Sequence, residues 1–208
     1  NQKVRKMKIV VIGTGYVGLV SGACFSEFGF DVTCVDNDSD KIAKIIAGDM
    51  PIYEPGLADL VTRNVTGGRL HFTTDLKTAV ALADVVFIAV GTPARRGDGH
   101  ADLSFVYTVA REAAPFLNGY TVVITKSTVP VGTTREVAKI IAAKNPDAAF
   151  DVASNPEFLR EGAAISDFMR PDRVVVGAET EAARDVLRAL YRPLYLIETP
   201  ILFTSLET

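Results

Sequence analysis

Short apolar runs rich in Val and Ile alternate along this chain with segments whose apolar positions recur at helical spacing. Strands are predicted at Lys8–Ile12, Val32–Val35, Leu70–Thr73, Val85–Val90, Thr121–Thr125, Asp151–Ser154, Arg173–Val176 and Leu194–Ile197. Helices are predicted between them, at Tyr16–Phe28, Ser39–Ala47 with Ser39 as N-cap, Leu76–Leu82, Leu103–Leu117 capped near Asp102, Thr133–Ala143 and Glu181–Tyr191. Strands that read as near-continuous Val/Ile are buried on both faces, as in a parallel sheet covered by helices. The βαβα rhythm therefore predicts an α/β, Rossmann-type doubly wound fold, with a mainly parallel sheet and helices on both faces. The main irregular segments are the Gly/Pro-rich stretches Met50–Leu57 and Thr92–Asp102.

Composition narrows the function. With 208 residues, 48% hydrophobic and 23% charged, the chain can bury a sizeable core as one domain or one and a half. Its 22 basic and 25 acidic side chains leave a net charge of −3, which argues for neither a nucleic-acid partner nor disorder. The longest apolar runs are far too short to span a bilayer, and the basic start is not followed by a signal-peptide core. Met7 reads as a natural start, with residues 1–6 an extension and 7–208 the folded domain. Two cysteines suit a reducing, cytoplasmic setting, and two histidines, His71 and His100, leave little for a metal site.

The first chemical signal follows the first strand. Gly13-Thr14-Gly15-Tyr16-Val17-Gly18 opens a helix, a second strand follows, and Asp36 stands at its end, 18 residues beyond Gly18. In this context Gly13 permits the tight turn, Gly15 lets the backbone approach a pyrophosphate, and Gly18 lets the helix pack on the strand. The helix N-terminus, from Tyr16, offers free N–H groups to phosphates. Asp36 can accept from a ribose 2′-hydroxyl and would repel a 2′-phosphate, so NAD is expected over NADP. Ligands in such folds sit at the carboxyl ends of strands one and four. The small residues of Gly91-Thr92-Pro93 after strand four would allow a cofactor close, although for Pro93 alone an ordinary β-to-α turn is the better reading.

A second constellation lies on the same rim. Strand five runs into Thr125-Lys126-Ser127-Thr128-Val129-Pro130-Val131-Gly132, and strand six into Asn155-Pro156-Glu157-Phe158-Leu159-Arg160-Glu161-Gly162. Two hydroxyls and two carboxylates would face the nicotinamide end, where a dehydrogenase needs proton-handling groups. On residue types alone, Glu157 and Glu161 fit equally well as an exposed i, i+4 helix pair, with Ser127 and Thr128 as helix caps.

Taken with Pro51-Ile52-Tyr53-Glu54-Pro55-Gly56-Leu57 and Arg170-Pro171-Asp172-Arg173-Val174-Val175-Val176-Gly177, these segments resemble the UDP-glucose 6-dehydrogenase family from Met7 to Thr208. The resemblance implies NAD-dependent, four-electron oxidation of UDP-glucose to UDP-glucuronate, in which a cysteine captures the aldehyde as a thiohemiacetal and then a thioester. GDP-mannose or UDP-N-acetylmannosamine as substrate, or a non-catalytic NAD-binding module, are the alternatives. Carried over by position, Val17, Asp36, Lys41, Thr128 and Glu161 match cofactor contacts, and Glu157-Phe158-Leu159-Arg160-Glu161 matches the substrate-binding segment. Glu157 matches the acid/base carboxylate, and Thr128 a residue that helps hold the hydrolytic water. A solvated side chain is the competing reading of Lys41. Arg95-Arg96 read as part of a solvated loop, with phosphate contact the lesser alternative. No role is assigned to Tyr53 or Glu54.

The chain departs from the family at the thiol. Cys24 falls on the first helix and Cys34 in the second strand, and both read as small buried apolar residues. The family's catalytic cysteine, lysine and nearby asparagine all follow the segment that corresponds to residues 204–208. The expectation is therefore an amino-terminal, NAD-binding half whose intact protein is a homodimer or larger.

Overall fold

The Val- and Ile-rich runs form the interior strands of an eight-stranded sheet in a computed structural model that describes residues 5–195 and 197–207. The elements run β1 (Lys8–Ile12), α1 (Tyr16–Glu27), β2 (Asp31–Val35), α2 (Ser39–Ile46), α3 (Leu57–Thr66), β3 (Leu70–Thr73), α4 (Leu76–Ala81) and β4 (Val85–Ile88). They continue with α5 (Ser104–Ala113), a 3-10 turn at Ala114–Phe116, β5 (Thr121–Thr125), α6 (Thr133–Lys144), β6 (Phe150–Ser154), α7 (Ala164–Met169), β7 (Val174–Ala178), α8 (Glu181–Tyr195) and β8 (Ile201–Thr204).

Strand order is β3-β2-β1-β4-β5-β6-β7-β8. All neighbours are parallel except β6 and β7. Every residue of β4 and β5 is buried, because helices cover both faces there. The order reverses between β1 and β4, and this is where a doubly wound sheet opens a crevice at its carboxyl rim. Ladder bonds carry past the strand ends on this rim: Lys126 N donates to Ile88 O at 2.9 Å and Asn155 N to Thr125 O at 3.0 Å. Because β7 runs antiparallel to β6, the Arg170–Arg173 stretch that precedes it returns to the same rim.

One core packs α1, α3, α7 and α8 on one face of the sheet; the other packs α4, α5 and α6 on the opposite face. Phe25 centres the first, with its ring 5.1 Å from Phe87 and 5.0 Å from Phe168.

Several predicted boundaries shift. Asp38, not Ser39, caps α2: its carboxylate accepts from Lys41 N at 3.0 Å. β4 stops at Ile88, and the predicted helix 103–117 is shorter, closing in the 3-10 turn at Pro115. The strand predicted at Leu194–Ile197 is not one. Leu187, Leu190, Tyr191 and Leu194 are buried at i, i+3, i+4 and i+7 spacing, so α8 carries through Pro193 and the last strand forms at Ile201–Thr204 instead. Leu196 lies outside the described residues. Helices α3 and α7 were not predicted.

Candidate functional site

The site begins at the turn between β1 and α1, where the three glycines differ in what holds them. Gly13 has φ +105°, and a Cβ there would lie 2.6 Å from Ala89 O. A Cβ on Gly18 would lie 1.9 Å from Gly13 O, so helix and turn touch only because it is absent. Gly15 has an ordinary backbone, φ −72° and ψ −166°, and a Cβ would meet nothing within 4 Å. Nothing among the described residues requires a glycine there. The open space above it fits a ligand pressed against the backbone. α1 begins without a side-chain cap and without an acid in its first turn, so the helix end at Tyr16, Val17 and Gly18 suits an anion. These features fit the diphosphate of NAD.

Asp36 stands at the end of β2, as predicted. Its Oδ2 accepts from Thr14 N at 3.0 Å and Thr14 Oγ1 at 2.7 Å, with Lys41 Nζ at 3.4 Å. Its Oδ1 accepts from Asp38 N at 3.1 Å. Partial burial opposes the charge, but these hydrogen bonds and the Lys41 ammonium prevail and hold the carboxyl below its usual range. Lys41 is thus brought to Asp36 rather than left in solvent. Carboxylate and ammonium stand together at the end of the crevice where an adenosine ribose would lie.

The loops after β4 and β5 are tied to each other. Thr92 Oγ1 donates to Thr128 O at 3.3 Å, and Ser127 Oγ donates to Val90 O at 2.7 Å. Neither Ser127 nor Thr128 caps a helix, since α6 starts at Thr133 behind Gly132. Lys126 is buried beneath them. Its Nζ donates to Asn155 Oδ1 at 3.0 Å and lies 5.5 Å from the Phe168 ring centre. Tyr191 Oη donates to the same Asn155 oxygen, and Asn155 Nδ2 donates to Val175 O at 2.9 Å. Burial pulls the Lys126 ammonium down to about 8, partly offset by the negative charge of Glu157. Sequence reasoning assigned no role to Lys126; its signal was a lysine directly continuing an all-buried strand.

Residues 155–160 form neither helix nor strand, which overturns the alternative of an exposed helical pair. Glu157 folds back so that its Oε2 accepts from Leu159 N at 2.6 Å. Arg160 grips Asp167 through its backbone N, Nε and a terminal nitrogen at 2.9, 3.1 and 2.7 Å, while Phe158 and Glu161 are exposed. Glu157, Phe158, Leu159 and Arg160 line a cavity of about 630 Å³ with Lys126 and Arg173. Tyr16 joins the two motifs: its Oη lies 2.7 Å from Glu54 Oε2 and 3.1 Å from Arg160 O.

Both cysteines are buried, and Cys24 is close enough to Lys126 for the ammonium to oppose the rise of its thiol. Desolvation pushes each thiol up to about 12, with Glu27 adding to the rise at Cys24. Among the described residues, no helix is long and apolar enough to cross a membrane.

Residues 7–195 match the NAD binding domain of the UDP-glucose/GDP-mannose dehydrogenase family. The chain is 63% identical over 204 residues to a UDP-glucose 6-dehydrogenase of Rhizobium meliloti, covering 97% of this chain and 47% of that protein. Its fold superimposes on a UDP-glucose dehydrogenase from Pyrobaculum islandicum with TM-score 0.93 and 39% identity, over 100% of this chain and 48% of the other. A ternary complex of GDP-mannose dehydrogenase from Pseudomonas aeruginosa gives TM-score 0.91 and 39% identity, over 97% and 47%. The chain spans about half the length of the curated relatives it matches.

Proposed function

Because the chain belongs to the UDP-glucose/GDP-mannose dehydrogenase family, over that family's NAD-binding domain, we propose that it is the cofactor-binding half of a UDP-glucose 6-dehydrogenase. The intact protein, a homodimer or larger, then oxidises the C6 alcohol of UDP-glucose to the carboxylate of UDP-glucuronate. The observation that carries this reading is the convergence on one rim of the Gly13–Gly18 turn, Thr92, Thr128 and the Glu157–Glu161 segment, with the latter joined to the turn through Tyr16.

NAD, when bound, supplies the hydride acceptor. The chain's own residues hold it and handle the proton. The start of α1 and the space above Gly15 receive the diphosphate, and Asp36 with Lys41 receives the adenosine ribose. Thr92, Thr128 and Glu161 complete the cofactor contacts. Glu157 is the acid/base: its Oε2 is engaged by Leu159 N, and its other oxygen exchanges the proton of the C6 hydroxyl. Phe158, Leu159 and Arg160 shape the substrate side, and Thr128 helps hold the water that releases the acid. Covalent capture of the aldehyde needs a thiol other than Cys24 or Cys34.

The 63% identity to a UDP-glucose 6-dehydrogenase favours glucose. The likeness to GDP-mannose dehydrogenase supports a second reading, a different nucleotide sugar on the same machinery. The deciding experiment follows NADH formation by the full-length protein with UDP-glucose, GDP-mannose and UDP-N-acetylmannosamine in parallel. Two NADH per UDP-glucose, with little turnover of the others, is expected. Preference for another sugar overturns the assignment.

A further inference from the structure

Glu54 is a buried charged group that the reaction leaves unused. It is only 6% exposed, yet it sits in a loop between Pro51 and Pro55. Its carboxylate ties two segments remote in sequence, at Tyr16 and at Gly162–Ala164, to its own loop. Oε2 takes the Tyr16 hydroxyl at 2.7 Å and Gly162 N at 2.9 Å, and Oε1 takes Ala164 N at 2.7 Å. Gly162 turns its amide inward at φ +83°, a conformation that other side chains adopt at a cost. Among the described residues no lysine or arginine forms an ion pair with Glu54. The phenol and the amides alone stabilise the charge. Burial raises its proton affinity, yet these donors hold the carboxyl below its usual range.

A buried carboxylate without a cation is a costly way to join loops, and apolar packing would serve stability better. What the carboxylate supplies is direction. Tyr16 is the first residue of α1, directly after Gly15. Gly162 and Ala164 close the segment that carries Glu157 and Glu161. Arg160 O also lies 3.1 Å from the Tyr16 hydroxyl oxygen, so the tyrosine touches both sides of the clip.

We propose that Tyr16 and Glu54 are positioning residues that hold the Glu157–Glu161 segment in register with the dinucleotide turn. Occupation of the turn and alignment of the acid/base carboxylate are thereby linked. This rests on the dehydrogenase reading above.

The test uses Tyr16→Phe and Glu54→Gln in the full-length protein. NAD affinity is measured by calorimetry, kcat and KM with UDP-glucose, and the thermal midpoint by melting. Tyr16→Phe keeps the ring and removes only the hydroxyl. It is expected to melt within a few degrees of wild type, to lower kcat about ten-fold and to weaken NAD about five-fold. Glu54→Gln presents an amide N–H to one of the donors, and is expected to show the same pattern more strongly. A purely structural clip predicts lower melting points with wild-type kcat and NAD affinity in the folded protein, and that result overturns the proposal. If wild type binds NAD but does not turn over UDP-glucose, the dehydrogenase reading fails. The register claim is then decided by NAD affinity alone, and Tyr16→Phe binding as tightly as wild type overturns it.

Discussion

The carboxylate of Asp36 holds Thr14 twice, through the backbone amide at 3.0 Å and the hydroxyl at 2.7 Å. The residue expected to select NAD therefore also braces the turn that receives it. Asp36→Arg should lower or invert the NAD-over-NADP preference, and should also loosen Thr14, so affinity for both dinucleotides falls. An unchanged ratio in parallel titrations would count against the ribose contact. The carboxyl titrates lower in the folded chain than in the unfolded one, so its contribution is present above the unfolded value near 4 and is lost as pH falls through the folded value. Asp36→Asn should accordingly remove part of the acid-induced loss of stability below pH 4, measured as denaturation midpoint against pH.

Gly15 and Gly18 separate ligand binding from folding. Gly15→Ala adds a methyl to open space and should change stability by less than about 0.5 kcal/mol. It should weaken NAD about ten-fold, because the methyl occupies the diphosphate's place. Gly18→Ala drives a methyl into Gly13 O and should cost about 3 kcal/mol or more. Melting and NAD titration of the pair check this. Unaltered affinity in Gly15→Ala would show that the turn does not hold the cofactor, and a clear loss of stability would show that the fold itself needs the glycine.

Lys126 costs stability while it is charged. Folded, it gives up its proton near 8, while unfolded it does so near its ordinary 10.5. Between these values the unfolded chain holds more protons, so wild-type stability rises with pH there. Lys126→Met, which leaves Asn155 Oδ1 its Tyr191 donor, should be the more stable protein at pH 7, by up to about 3 kcal/mol. That advantage should shrink from pH 8 towards 10.5. A difference that does not vary with pH would contradict it.

Cys24 and Cys34 should be silent. With both thiols buried and pushed up to about 12, a thiol reagent at pH 7.5 should label neither in the folded protein and both in denaturant. Rapid labelling of the native protein would contradict this.

Much of this architecture was legible in the chain because local pattern and tertiary burial agree. Val85-Val86-Phe87-Ile88 and Thr121–Thr125 read as doubly covered strands and are so. Gly13–Gly18 and Asp36 declared their turn and strand end by spacing. What stayed hidden depended on distant partners. α7 is only six residues long, and its first turn is stabilised by Glu54 from 110 residues away, which no local window contains. The end of α8 was misread because Leu194-Tyr195-Leu196-Ile197 has strand-like composition, whereas the helical stripe beginning at Leu187 decides its course. Glu157 and Glu161 have helical spacing, but the loop-back of Glu157 to Leu159 N and the left-handed Gly162 keep them off a helix. The burial of Lys126 was hidden because its partner Asn155, itself bonded by Tyr191, is distant in sequence.

The most direct test of the central claim is calorimetric titration of this chain with NAD and with NADP under identical conditions. Saturable 1:1 binding of NAD, at least about ten-fold tighter than NADP, is the predicted result. Equal affinities, or no heat with either dinucleotide, would contradict it.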